Sequence, residues 1–168
     1  GSGVYKEDQL LEDKERLAEF YRGKGHIDFE LKQVETEFPA THQMVLRFHV
    51  FEGREYKVGA VSFKGTTMFP TNKVDKAFKL KPGAVFAPNE LRKDITAVED
   101  FYGSRGHIDV TPTTGDLRVK RIANTETGTM DLEYNIEEGQ KSYVEKIEIR
   151  GNTKTKDRVI RRELAIAP

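Results

Sequence analysis

The strongest constraint on the fold is that the chain repeats itself. "FYRGKGHID" at Phe20–Asp28 returns as "FYGSRGHID" at Phe101–Asp109, 81 positions later. A second pair follows: "EGREYKVGAVSFKGT" (Glu52–Thr66) aligns with "EGQKSYVEKIEIRGNT" (Glu138–Thr153) once one residue of slack is allowed. Here Gly53 falls on Gly139 and Gly65 on Gly151, 86 apart. The change from 81 to 86 puts five additional residues between His107 and Gly139. The turn-forming "NTETGT" at Asn124–Thr129 is where they are expected, as a lengthened hairpin turn. A period in the eighties is too long for a helical solenoid repeat and fits small domains in tandem.

One period, read in order, yields strand, helix, helix, strand, strand. Tyr56–Lys64 reads as a strand, with Val61 and Phe63 on one face and Gly65 closing it. After Pro70, with Thr71 or Asn72 as cap, a short helix turns Val74, Ala77 and Phe78 inward. "KPG" (Lys81–Gly83) is a turn. Asn89 is the expected cap of a longer helix through about Arg105, with Leu91, Ile95, Val98 and Tyr102 in one stripe. A second strand is expected to begin at His107–Val110, bend near Pro112 and resume over Leu117–Ile122. Met130, Leu132, Tyr134 and Ile136 alternate in a third.

The ends then read as fragments of the same unit. Tyr5–Gly25, Ile27–Glu35 and Met44–Phe51 match the longer helix and the second and third strands. Tyr143–Arg150 and Lys156–Ala165 match a first strand and a short helix. The division expected is a cloning scar at 1–3 ("GSG"), the C-terminal part of one unit at 4–53, a complete unit at 54–140, and the N-terminal part of another at 141–168.

Composition narrows the function. Lys and Arg number 28, as do Asp and Glu, and the signs are interspersed. A nucleic-acid partner is not expected, because such modules concentrate basic charge on one face. Charged residues make up 33% and apolar ones 36%, the latter with period, which describes a folded chain. There is no cysteine, so thiol chemistry, Cys–zinc sites and disulfides are excluded together. No apolar run approaches the roughly 18 residues of a membrane helix.

The strand–helix–helix–strand–strand unit resembles a POTRA domain. So does the joint carried by Glu138, Gly139, Tyr143, Ile147, Ile149, Gly151 and Asn152. "RGNTKTKDRVIRREL" (Arg150–Leu164) is similar to the opening of the last POTRA domain before the barrel in BamA-type outer-membrane assembly proteins. Two departures stand out: the family often has Tyr where His26 and His107 stand, and "GTT" replaces "GN" after Lys64. The resemblance implies an α+β fold, a three-stranded mixed sheet with two helices on one face. It further implies the periplasmic part of a bacterial outer-membrane protein whose parent carries a C-terminal membrane barrel. The implied partners are unfolded outer-membrane proteins and accessory lipoproteins. An array for secretion or organelle import keeps the architecture and changes the cargo.

His26 and His107, each two residues before an Asp, invite a metal or catalytic reading. A metal site needs three or four converging ligands and a hydrolytic dyad needs a nucleophile or a positioned water. Neither is offered locally, so no catalytic residue, metal or cofactor is assigned, and the enzyme or metal-protein reading is the alternative from another class. Gly25 and Gly106 are instead helix-terminating caps, with Ile27 and Ile108 turning inward after them. His42 and His49 fare no better, His49 falling beside Arg47 on the outward face. The acidic residues read as solvated helix faces, with Glu12–Arg16 an i,i+4 pair.

What remains is backbone. The resemblance makes the second strand the exposed edge, with His107, Ile108, Val110, Leu117, Val119 and Arg121 as the candidate peptide-binding residues. Arg118, Lys120 and Arg121 would either steer acidic segments or guard the edge. Glu52, Gly53, Glu138 and Gly139 are the candidate hinges between units. Pairing of the two fragmentary ends between molecules, as in domain swapping, is also expected.

Overall fold

The computed structural model describes residues 6–151, 155–156 and 162–163. Helix α1 (Glu7–Gly23) opens on Glu7 and Asp8 and ends near Arg22, charges that oppose the partial charges at each helix end. It lies on a two-stranded antiparallel sheet, β1 (Glu30–Glu37) and β2 (Val45–Phe51). Leu46, Phe48 and Val50 turn half-buried toward it and alternate with exposed Val45, Arg47, His49 and Phe51, as a strand with one covered face requires.

The complete unit follows. Strand β3 (Lys57–Lys64) leads through a 3₁₀ turn at Thr71–Lys73 into α2 (Val74–Ala77). Helix α3 (Pro88–Gly103), β4 (Leu117–Asn124) and β5 (Thr129–Ile136) complete it. The sheet order is β3-β5-β4, with β3 parallel and β4 antiparallel to the central β5. Along β5, Met130, Leu132, Tyr134 and Ile136 are all buried and share one core with Leu91, Val98 and Tyr102 of α3. Tyr56, Val58, Phe78, Leu80, Phe86, Val110 and Leu117 complete that core. The expected strand order and mixed sheet are present, and the helices cover one face.

Several local expectations are corrected. Helix α3 is capped by Ala87 with Pro88 in its first turn; Asn89 lies inside it and accepts a bond from Arg92. A fixed φ without an N–H suits that first position, so proline sets the boundary. Ala77 is exposed, whereas Phe78 is 4% exposed; the Val74 side chain lies outside the described residues. Strands β1 and β4 begin at Glu30 and Leu117, not at Ile27 and His107.

The segment after His107 is a loop tied by turns. Val110 N–H donates to His107 O at 3.3 Å, Gly115 N–H donates to Pro112 O at 3.2 Å, and the Thr114 hydroxyl donates to Asp109 O. Threonine hydroxyls and a Pro–Gly spacing thus outcompete strand pairing. Ile108 points outward and is 46% exposed. The additional residues of the second repeat lie here and not in the hairpin. Residues 108–116 separate His107 from β4, where 27–29 separate His26 from β1; the β4–β5 turn (125–128) is shorter than the β1–β2 turn (38–44).

The last segment pairs locally. Strand β6 (Tyr143–Val144) pairs with β9 (Arg162–Glu163), and β7 (Ile149–Arg150) with β8 (Thr155–Lys156). Of the helix expected over Lys156–Ala165, the described residues Lys156, Arg162 and Glu163 are extended, and the rest lies outside the described residues. A helix this short is marginal without a packed face to hold it.

Candidate functional site

Two features of the complete unit can act on another chain: its sheet edges and its joints. The two edges are not equivalent. The start of β3 is covered by the loop after "KPG": Val58 N–H donates to Ala84 O at 2.7 Å, Gly83 N–H to Val58 O at 2.8 Å, and Phe86 N–H to Tyr56 O at 2.9 Å. Between Val58 and Val61 the register slips, and Ala60 N–H turns to Asp131 Oδ1 at 2.7 Å. A covered start and a bulge blunt that edge. Strand β4 pairs residue for residue with β5 from Leu117↔Ile136 to Asn124↔Thr129 without a slip. Among the described residues, no backbone–backbone bond outside the sheet engages Arg118–Ala123. The β4 edge therefore presents a regular row of main-chain donors and acceptors.

The sequence-predicted edge residues divide on this geometry. Val110 and Leu117 are each 1% exposed and belong to the core. Val119 and Arg121 turn toward the helix side, Val119 half-buried against the core and the Arg121 guanidinium 5.3 Å from the Phe86 ring centroid. The outward side chains of β4 are Arg118, Lys120 and Ile122, opposite Asn135, Glu133 and Asp131. His107 and Ile108 lie in the preceding loop.

The histidines belong to the joints. At the first, Tyr56 N–H donates to Gly25 O at 2.9 Å and His26 Nδ1 lies 3.1 Å from Gly53 O. At the second, Ser142 N–H donates to Gly106 O at 2.7 Å and His107 Nδ1 lies 2.7 Å from Glu138 O. A carbonyl only accepts, so Nδ1 carries the proton in both. Each ring also packs edge-on to the tyrosine that ends its helix, Tyr21 at 5.9 Å and Tyr102 at 6.0 Å between centroids. Gly25 and Gly106 sit at φ 93° and 89°; a Cβ on Gly106 would lie 2.8 Å from Ser142 O, so the backbones approach closely because no side chain intervenes.

The hinge candidates sit within these contacts. Gly53 and Gly139 have φ 71° and 63°. The Glu52 carboxylate accepts from the Tyr21 hydroxyl at 3.1 Å, which with burial raises that phenol. The Glu138 carboxylate accepts from the Thr67 N–H and, at 3.0 Å, from the Thr67 hydroxyl. The sequence alone did not disclose that the histidines tie each helix end to the following linker. Nor did it single out Asp94, which is 2% exposed and accepts Lys79 N–H and Leu80 N–H at 2.8 Å each. Burial pushes its carboxyl up and the two N–H groups oppose that shift. The available signal was its place between Leu91 and Val98 on the inward stripe. Burial likewise raises the Tyr134 hydroxyl, which has no hydrogen-bond partner among the described residues.

No group of three or more His, Asp or Glu is placed to hold a metal among the described residues, and no described helix is long and apolar enough to cross a membrane.

The family model for POTRA, the surface antigen variable number repeat, matches residues 56–139, the unit just described. The chain is 31% identical to the outer membrane protein assembly factor BamA of Neisseria meningitidis, over 97% of this chain and 20% of that protein. It is 33% identical to the assembly factor of the same name in Neorickettsia risticii, over 97% of this chain and 21% of that one. The chain thus spans about a fifth of the length of these curated relatives. Among solved structures, BamA POTRA3-5 of Haemophilus influenzae superposes with a TM-score of 0.59 over 90% of this chain and 59% of that one, at 14% identity, a likeness of fold. The complete unit of β3, α2, α3, β4 and β5, matched over its whole length, makes this chain a member of the POTRA family.

Proposed function

We propose that the chain is a periplasmic scaffold segment of an outer-membrane β-barrel assembly factor, and that it handles unfolded barrel proteins by adding their strands to the β4 edge. The observation that carries this reading is the asymmetry of the sheet: β3 is bulged and partly covered, whereas β4 is regular and its outer main-chain groups are open. Strand addition draws affinity from main-chain bonds and asks little of the guest sequence. Nascent barrel proteins consist of alternating amphipathic strands, which suits them to such a site. Arg118 and Lys120 flank the edge and add attraction for acidic segments while discouraging self-pairing. The reading is a binding role, not a catalytic one. Residues 4–53 and 141–168 are taken as parts of neighbouring units, joined through Glu52–Gly53 and Glu138–Gly139, so that successive edges are held in a restricted relation. Docking of accessory lipoproteins to the same array belongs to this proposal.

A photo-cross-linking residue at Lys120, whose side chain points away from the core, tests the edge directly. Links from an unfolded barrel protein to position 120, and few to Ser62 on the outward face of β3, are expected. Equal labelling of the two positions, or labelling at Ser62 alone, refutes edge selection.

A further inference from the structure

The additional residues of the second repeat close one end of the β4 edge, and this fixes which main-chain groups a guest can use. Glu137 N–H donates to Asp116 O at 2.8 Å and Gly128 N–H donates to Asn124 O at 2.9 Å, so both carbonyls point to the β5 side. The ladder between them has no slip, and the main-chain groups of an antiparallel strand alternate in direction. Arg118, Lys120 and Ile122 therefore bond β5, whereas Leu117, Val119, Arg121 and Ala123 turn their N–H and C=O to the free edge. The first of these is already engaged: Leu117 N–H donates to Thr111 O at 3.3 Å, and Gly115 N–H donates to the same carbonyl at 3.2 Å. Thr111 thus holds the loop 108–116 where a guest strand would lie beside Leu117. Val119, Arg121 and Ala123 stay open, since β4 pairs with β5 alone among the described residues.

The side chains around those positions prescribe the guest. Antiparallel pairing is the more stable per residue, and it sets five guest residues against Ala123, Ile122, Arg121, Lys120 and Val119 in that order. The first, third and fifth share the helix side with Ala123, Arg121 and Val119; the second and fourth lie outward with Ile122 and Lys120. Half-buried Val119 favours an apolar fifth residue. The Arg121 guanidinium lies 5.3 Å from the Phe86 ring centroid on one side, and the residue is exposed, so its other face accommodates an aromatic third residue. Lys120 stands opposite Glu133, but Glu133 pairs with Lys64 at 3.3 Å. Lys120 has no ion pair among the described residues and suits an acidic fourth residue across the new strand.

We propose that the β4 edge binds a five-residue antiparallel segment in one register, apolar at its first and fifth residues, aromatic at its third and acidic at its fourth, with the Thr111 loop ending the pairing. This rests on strand addition at β4 and adds the guest's pattern and its limit.

A fluorescein-labelled peptide with the core valine, threonine, tyrosine, glutamate, valine, flanked by glycine and serine, is titrated with the 168-residue protein and followed by anisotropy. In the proposed register the tyrosine N–H donates to Arg121 O, whereas the threonine and glutamate N–H groups point away. N-methylation at the tyrosine is expected to weaken binding about tenfold, and at the glutamate by less than about twofold. Exchanging the threonine and glutamate is expected to weaken binding about threefold, and Lys120→Glu to reverse that preference. Two further valines after the fifth residue are expected to add nothing, because the loop holds that place. Sensitivity to methylation at the glutamate and not at the tyrosine keeps strand addition and overturns this register. Indifference to methylation at both removes strand addition itself. Equal binding of the two sequences, before and after Lys120→Glu, overturns the pattern. No binding at millimolar peptide overturns the proposal, and the cross-link at position 120 then shows whether the edge reading stands.

Discussion

Replacing Asp94 by alanine probes the least expected feature of the core. Its carboxylate is the acceptor for both Lys79 N–H and Leu80 N–H, and it pins the end of the α2 segment to α3. Leu80 is 1% exposed, so its N–H has no route to water once the acceptor is gone; Lys79 is exposed and can recover hydration in part. A buried donor left unmet costs about 1–3 kcal/mol. The two together, less the relief of desolvating the carboxylate, give a loss of about 2–4 kcal/mol for Asp94→Ala. Asp94→Asn retains one acceptor and is expected to lose about half as much. Urea unfolding followed by circular dichroism at neutral pH measures both. The pH dependence supplies an independent check. Burial raises the folded carboxyl above its unfolded value, so between the two values the folded state binds more protons. The stability this contributes is fully present below the unfolded value and is lost as pH rises through the folded one. Asp94→Asn removes that slope. A change within about 0.5 kcal/mol for Asp94→Ala, the size of an ordinary surface substitution, would refute the reasoning.

Gly106→Ala is expected to destabilise by more than about 1 kcal/mol, since it forces a side chain into positive φ and against Ser142 O. Gly103→Ala meets open space within a helix and is expected to be neutral or stabilising by up to about 1 kcal/mol; thermal melts of the pair show whether the close approach, not helix propensity, decides. His107→Ala removes one bond to Glu138 O and is expected to cost about 0.5–1.5 kcal/mol with no change in metal content; loss of a bound ion measured by plasma emission would reinstate the metal reading. Tyr56→Phe deletes the 2.6 Å bond to Asp28 beneath a ring that is 1% exposed, and a loss near 1 kcal/mol confined to the first joint is expected in hydrogen exchange.

The parts of the fold that were legible in the sequence are those where burial imposes a period. Strand β5 alternates strictly because one face is covered along its whole length, and α3 shows its stripe because Leu91, Val98 and Tyr102 all enter one core. The loop 108–116 was not legible, because threonine hydroxyls and Pro112 satisfy its backbone locally and so remove any need for strand pairing. Asp94 was hidden for the opposite reason. Its partners are main-chain N–H groups fourteen and fifteen residues away, and no side-chain pattern announces them. The repeated histidines were visible as a motif, yet their role depends on carbonyls 27 and 31 residues later, a relation set by how the linker folds back.

The single residue of slack in the repeat has a mechanical consequence. Tyr56 stands three positions after Gly53, where its N–H reaches Gly25 O and its hydroxyl reaches Asp28 at 2.6 Å. Tyr143 stands four positions after Gly139, so Ser142 takes the N–H contact with Gly106 O and the ring falls outside, 55% exposed. Among the described residues no hydrogen bond joins Tyr143 to Asp109. The first joint therefore buries the tyrosine that follows its glycine and ties it to Asp28, whereas the second leaves the corresponding Tyr143 exposed, and the second is expected to be the more compliant. Deleting Gln140 moves Tyr143 to the position of Ser142 and offers its hydroxyl to Asp109, the repeat counterpart of Asp28. Spin labels at Thr96 on α3 and at Glu145 report the distance across the second joint. The deletion is expected to narrow that distribution, and adding Asp109→Ala to broaden it again; an unchanged width in the first variant, or no response to the second, would show that the tyrosine is not what stiffens a joint.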